Sequence, residues 1–113
     1  MTQAHSIKPD YQNESVAVYL LPDARWARRV SGPFGNYLAQ IDPGRAIAIV
    51  SFVAENGVQI SVRAPENELK GADAFCSRFP TGGGRKAAAG INHLPADQLE
   101  HFISQFENFF GTQ

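Results

Sequence analysis

Ala46-Ile47-Ala48-Ile49-Val50-Ser51-Phe52-Val53-Ala54-Glu55-Asn56-Gly57-Val58-Gln59-Ile60-Ser61-Val62-Arg63 is the stretch whose reading decides the fold. Residues 46–54 are apolar on both faces, interrupted only by Ser51, as expected of a strand in the middle of a sheet. Asn56-Gly57 is a type I′ hairpin signal. Beyond it Val58, Ile60 and Val62 alternate with Gln59, Ser61 and Arg63, so the returning strand has one buried and one polar face, and Pro65 ends it.

Outward from this hairpin the pattern repeats. Val16 to Leu21 reads as a second buried strand closed by Pro22, and Asp23 is placed to cap a helix. That helix carries Trp26, Val30, Tyr37 and Leu38 at near-helical spacing, but Gly32-Pro33 in its middle allows two pieces as readily as one. Asp42-Pro43-Gly44 is a turn. Downstream, Ala72, Phe75, Cys76 and Phe79 recur at i, i+3, i+4 and i+7, the signature of a short amphipathic helix between Gly71 and Phe79. Ile91 to Leu94 fits a short strand. Leu99, Phe102, Ile103, Phe106 and Phe110 then make the clearest helical stripe, with Pro95 near its start and Gly111 just past its end. The order β-α-β-β-α-β-α predicts an α/β (α+β) fold, with a mixed sheet of four to five strands flanked by helices. A ferredoxin-like βαββαβ unit with an added helix fits the same order. Residues 1–14 are polar, include Pro9 and read as a tail or linker, leaving 15–113 as a single domain.

Composition bounds the function. A chain of 113 residues with 43% hydrophobic content supports one core. Ten Lys and Arg against eleven Asp and Glu give a net charge of −1, so overall field cannot drive adhesion to nucleic acid, and any basic site is local. The lone Cys76 rules out an internal disulfide and points to a reducing compartment, with cytoplasm as the default. Neither a secretory h-region nor a membrane-length apolar run is visible.

The run Thr81-Gly82-Gly83-Gly84-Arg85-Lys86-Ala87-Ala88-Ala89-Gly90 suits an anion. Glycines let backbone N–H groups converge, and a helix opening over Lys86 to Ala89 would add its positive end. The bland reading is a flexible connector. The run lacks the Gly-Lys-Ser/Thr of a P-loop and the GxGxxG of a dinucleotide fingerprint, which disfavours nucleoside triphosphatases and nicotinamide enzymes. Ser61 and Arg63 project to one side of their strand, and Arg63 and the glycine run flank one short helix, a separation that a mixed sheet can close. Arg25, Arg28 and Arg29 read as a solvated helix face, His93 and His101 lack the neighbours of a metal site, and Cys76 falls on an apolar face. No Ser-His-Asp set or paired carboxylates can be assembled, so no residue is assigned a catalytic role.

Ser61-Val62-Arg63, the short helix from Ala72 to Phe79, and Gly82-Gly83-Gly84-Arg85-Lys86-Ala87-Ala88-Ala89-Gly90 together resemble the DHH-associated C-terminal domain of the DHH phosphoesterases. That family follows a pattern of a Ser-x-Arg strand, a short helix and a GGGHxxAAG loop, and the resemblance covers roughly residues 45 to 110. It implies that Ser61, Arg63, Gly82, Gly83, Gly84, Arg85 and Lys86 contact substrate phosphate. It also implies that hydrolysis belongs to a separate N-terminal DHH domain holding manganese, so this chain alone would bind a nucleotide or single-stranded oligonucleotide without cutting it. The sequence departs from the pattern at Arg85, where the family places histidine; arginine keeps the charge for phosphate but not the proton-transfer option. The resemblance leaves oligomeric state open. Two alternatives stand beside it: a self-standing ferredoxin-like regulatory or oligomerisation module, and the substrate domain of a polyphosphate-type phosphatase.

Overall fold

Two glycine contacts shape one half of the sheet, and the apolar strands the other. The computed structural model describes residues 9–21, 25–53, 56–65 and 71–111; the side chains of residues 25–31 and 111 are outside the described set, as is Asp23. The strands are β1 (Tyr11–Gln12), β2 (Val16–Leu20), β3 (Ala46–Val53), β4 (Gly57–Arg63), β5 (Gly82–Gly84) and β6 (Ala88–Pro95). The helices are α1 (Arg25–Ile41), α2 (Ala72–Cys76) and α3 (Leu99–Gly111), the last entered through a single 3₁₀ turn, Ala96–Gln98. The strands form one six-stranded mixed sheet in the order β1-β2-β3-β4-β6-β5, with β2 and β3 parallel and every other pair antiparallel.

The expected α+β architecture is present, with β3 inside the sheet and two more strands than the repeating pattern revealed. Because β2 and β3 are direct neighbours, the unit is not the split βαβ of the ferredoxin-like arrangement. Tyr11 and Gln12, within the stretch read as a tail, pair with Val18 and Ala17. A side-chain turn makes this possible: Asn13 Oδ1 accepts from the amides of Ser15 (2.8 Å) and Val16 (2.9 Å). Tyr11 donates its hydroxyl to Glu107 on α3, and Asn13 Nδ2 donates to the same carboxylate at 3.0 Å.

Helix α1 runs unbroken through Pro33. Proline removes one helical hydrogen bond, but docking of buried Phe34 and Leu38 onto Ala17, Tyr19, Ile47 and Ile49 holds the helix together. The opposite face of the sheet is covered by α2 and α3. There Phe75 is the centre of a ring cluster with Phe79, Phe102, Phe106, Phe109 and Phe110, its centroid 5.3–5.8 Å from theirs. The β3–β4 hairpin is not the expected type I′ turn. Its register pairs Val53 with Gly57, so three residues separate the strands, and Asn56 takes positive φ, 54°, whereas Gly57 does not take the positive φ that a type I′ turn would require.

The glycine run departs most from expectation. Gly82–Gly84 is strand β5, residues 85–87 are a hairpin turn closed by the Arg85 amide donating to the Ala88 carbonyl (2.9 Å), and Ala88 and Ala89 begin β6. No helix opens over residues 86–89. Glycine is required here for close approach: a Cβ on Gly82 would lie 1.8 Å from the Cys76 carbonyl oxygen, and one on Gly90 would lie 2.7 Å from that of Ile60. Local propensity disfavours a strand of three glycines, and packing against α2 overrides it.

Two outcomes follow from this packing. Gly82→Ala must displace backbone and should cost at least about 3 kcal/mol, whereas Gly83→Ala, whose Cβ meets nothing within 4 Å, should stay within about 0.5 kcal/mol; paired urea melts read the difference. Burial, and after it Asp73, pushes the Cys76 thiol up to about 12. The neutral thiol is thus favoured in the fold, a contribution complete below roughly pH 8.5 and lost as pH rises toward 12. Stability should therefore fall more steeply above pH 9 in the natural chain than in Cys76→Ala, and the thiol should stay silent to a disulfide reagent until the chain unfolds.

Candidate functional site

Strand alternation places the polar residues. Val58, Ile60 and Val62 enter the phenylalanine side of the core, so Gln59, Ser61 and Arg63 lie on the face that carries α1. Across the ladder Ser61 pairs with Ile49 on one side and Gly90 on the other, and Gly90 pairs with Gly83. Arg63 likewise lies between Ile47 and Ala88. Helix α1 covers Ile47 and Ile49 and reaches as far as Arg63. Past that line the sheet face is floored by Ser61, Gly90 and Gly83, where the two glycines leave the backbone bare and Ser61 adds only a hydroxyl.

Arg63 is held between α1 and the sheet. Its Nε donates to Asn36 Oδ1 (3.2 Å), Nη2 to the Gly32 carbonyl (3.3 Å) and Nη1 to its neighbour's carbonyl at Val62 (3.2 Å). Gly35 makes room for it: a Cβ there would come within 3.2 Å of both the guanidinium and Ile49. These three bonds use three of the five guanidinium N–H donors, leaving one on each terminal nitrogen. Burial lowers the pKa of Arg63 from its usual value, and among the described residues no carboxylate pairs with it. The other arginine nearby, Arg45, differs: its Nη1 meets Asp42 Oδ2 at 2.5 Å, and its Nε donates to the Asn13 carbonyl. A half-buried cation with spare donors and no counterion among the described residues suits an anion.

An open cleft of about 640 Å³ lies against Arg63, between the last turns of α1, the α1–β3 turn and the start of β6. Asn36 and Gln40 face it from the helix, and Ala64, Ala87 and Ala88 from the sheet side.

Of the residues singled out in the sequence, Ser61, Arg63 and Gly83 come together on one sheet face. Arg85 and Lys86 sit exposed on the hairpin at the Arg63 end, tied down by the Lys86 carbonyl accepting from Ala72 (2.8 Å) and the Ala87 carbonyl accepting from Ala64 (3.1 Å). The Gly82 amide is spent on the Phe79 carbonyl (3.0 Å), and Gly84 takes φ 141° at the strand end. An extended strand points alternate amides in opposite directions, so these glycines offer a flat, Cβ-free surface instead of a ring of convergent N–H groups. Gly35, Asn36 and Gln40 were not legible as site residues; the one hint was a glycine within an otherwise amphipathic helix. Among the described residues no three of His, Cys, Asp and Glu converge to hold a metal ion, so they offer no ligand set for manganese. No helix among them is long and apolar enough to cross a membrane.

The fold has counterparts among solved structures. One is a pGpG-specific phosphodiesterase, PggH, from Vibrio cholerae, which superposes with a TM-score of 0.61 at 7% identity over 88% of this chain and 34% of its own. Another is an exopolyphosphatase-related protein from Bacteroides fragilis, with a TM-score of 0.60 at 19% identity over 92% of this chain and 30% of its own. The chain thus spans about a third of the length of either, and the likeness is one of fold. No family model and no curated protein sequence matches the chain.

The Arg63 clamp has a measurable signature. Asn36→Ala removes the Nε acceptor at a partly exposed position and should cost about 0.5–1 kcal/mol. The Arg63 Nε–H resonance should be resolved from the other arginines in the natural chain and should merge with them in this variant.

Proposed function

We propose that this chain is the substrate-binding domain of a DHH-type phosphoesterase, holding the phosphate of a nucleotide or short single-stranded oligonucleotide for a separate catalytic domain. The observation that carries the reading is the clamped Arg63, paired with no carboxylate among the described residues, beside Ser61 and the Cβ-free Gly90 and Gly83. The two spare guanidinium N–H groups meet two phosphate oxygens, the Ser61 hydroxyl donates to a third, and the glycines let the anion approach the sheet. Arg85 and Lys86, exposed on the adjoining hairpin, add attraction that weakens with salt.

Support also comes from the resemblance carried by Ser61-Val62-Arg63 and the glycine run, and from the fold shared with a phosphodiesterase and an exopolyphosphatase-related protein. In this reading the chain orients the phosphate, and the metal-dependent hydrolysis of the ester takes place on the partner domain. The exopolyphosphatase-related neighbour favours a second reading, in which the ligand is a polyphosphate chain.

Titration of the chain with adenosine 5′-monophosphate, a short oligonucleotide and tripolyphosphate, followed by amide chemical shifts, separates the readings. The nucleotide reading predicts shifts at Ser61, Arg63, Gly83 and Gly90, affinity that falls with salt, and at least about a tenfold loss in Arg63→Ala, the effect of removing a charge-assisted contact. Tighter binding of tripolyphosphate than of either nucleotide ligand would favour the second reading. An Arg63→Ala variant that binds all three as the natural chain does would remove the proposal's support.

A further inference from the structure

The cleft beside Arg63 has a composition that a phosphate alone does not explain. Its volume, about 640 Å³, is in the range of small-molecule sites, and far exceeds what one phosphoryl group fills. Among the described residues its charge is nearly balanced: Asp42 neutralises Arg45, leaving Arg63 as the one cation on the described walls that no carboxylate pairs. The described walls thus carry about one net positive charge, which suits a ligand with a single phosphate better than a polyanion. The remaining walls are small and apolar at Ala64, Ala87 and Ala88, with the amides of Asn36 and Gln40 opposite.

Those amides have a defined polarity. Asn36 uses its Oδ1 to accept from Arg63, which leaves its Nδ2 hydrogens as the donors it can offer a ligand. Gln40, exposed on the following turn, presents both a donor and an acceptor. An open cleft with small alanine side chains on one wall and donor and acceptor amides on the other, next to an anion-ready guanidinium, matches a planar heterocycle attached to a phosphate.

We infer that the cleft between the α1 C-terminal turns and the Ala87–Ala88 edge seats the nucleobase of a nucleoside monophosphate, with Gln40 and Asn36 reading its polar edge while Arg63 holds its phosphate. This rests on the phosphate site proposed above. The base slides against Ala64 and Ala88, and the Gln40 amide makes paired hydrogen bonds to a base edge carrying one donor and one acceptor. Specificity for nucleotides over bare phosphate esters then resides in α1, outside the segments that first suggested an anion site.

The test compares adenosine 5′-monophosphate with ribose 5-phosphate, which shares the sugar phosphate and lacks the base, by calorimetric or amide-shift titration of the whole chain. The natural chain should bind the nucleotide at least about tenfold more tightly, a difference of about 1.4 kcal/mol. Gln40→Leu and Ala87→Trp both alter exposed positions; the first removes the polar edge and the second fills the slot. Each should bring the two ligands to within about threefold while ribose 5-phosphate keeps its natural affinity. Equal binding of the two ligands by the natural chain, or retention of the nucleotide advantage by either variant, overturns the base seat and leaves the phosphate site standing. Failure of both ligands to bind the natural chain overturns the phosphate site, and the base seat with it.

Discussion

The contact between the Gly82 backbone and the Cys76 carbonyl is the constraint on which the rest of the site depends. With any side chain at position 82 the strand or α2 would have to shift, and β5 could not keep its present approach. Since β5 pairs with β6 and β6 with β4, that approach fixes the floor onto which Ser61 and Arg63 project. The Phe75 cluster presses α2 down from the same side, so apolar burial on one face holds the geometry of the polar face opposite. Core and site are thus coupled through three strands of backbone.

Much of the fold was readable because burial leaves periodic marks. The all-apolar run of β3 and the strict alternation of β4 identify a central strand and its partner, and the Phe102, Phe106, Phe110 stripe identifies α3. What could not be read depends on contacts distant in the chain. Three glycines followed by Arg-Lys-Ala-Ala-Ala have local preferences for a loop and a helix, and only the α2 carbonyl and the β4 edge turn them into a hairpin. The β1 strand was hidden for a related reason: two residues have no period, and their place is set by the Asn13 turn and by Glu107, more than ninety residues away. Pro33 promised a break that tertiary packing cancelled.

The site was legible in its chemistry and not in its geometry. Ser61 and Arg63 could be placed on one face from alternation alone, and the nearness of the glycine run followed from the topology. The glycines contribute differently from the first expectation, through the absence of Cβ atoms instead of convergent amides. The partners of Arg63 on α1 carry no motif. Asn36 and Gln40 look like ordinary exposed helix residues, and Gly35 like a weak point; their role appears only once the helix is laid across β4.

Among the described residues the sheet ends in two stubs, β1 with two residues and β5 with three glycines. Open sheet margins are where chains recruit one another into aggregates, and long, flat, apolar margins are the worst offenders. Here the apolar strands β2, β3 and β4 are all interior, and each margin is too short to template the addition of another chain. The triglycine that shapes the binding face therefore has a second effect: it terminates the sheet, and with it the means by which a concentrated solution of this chain would begin to stack.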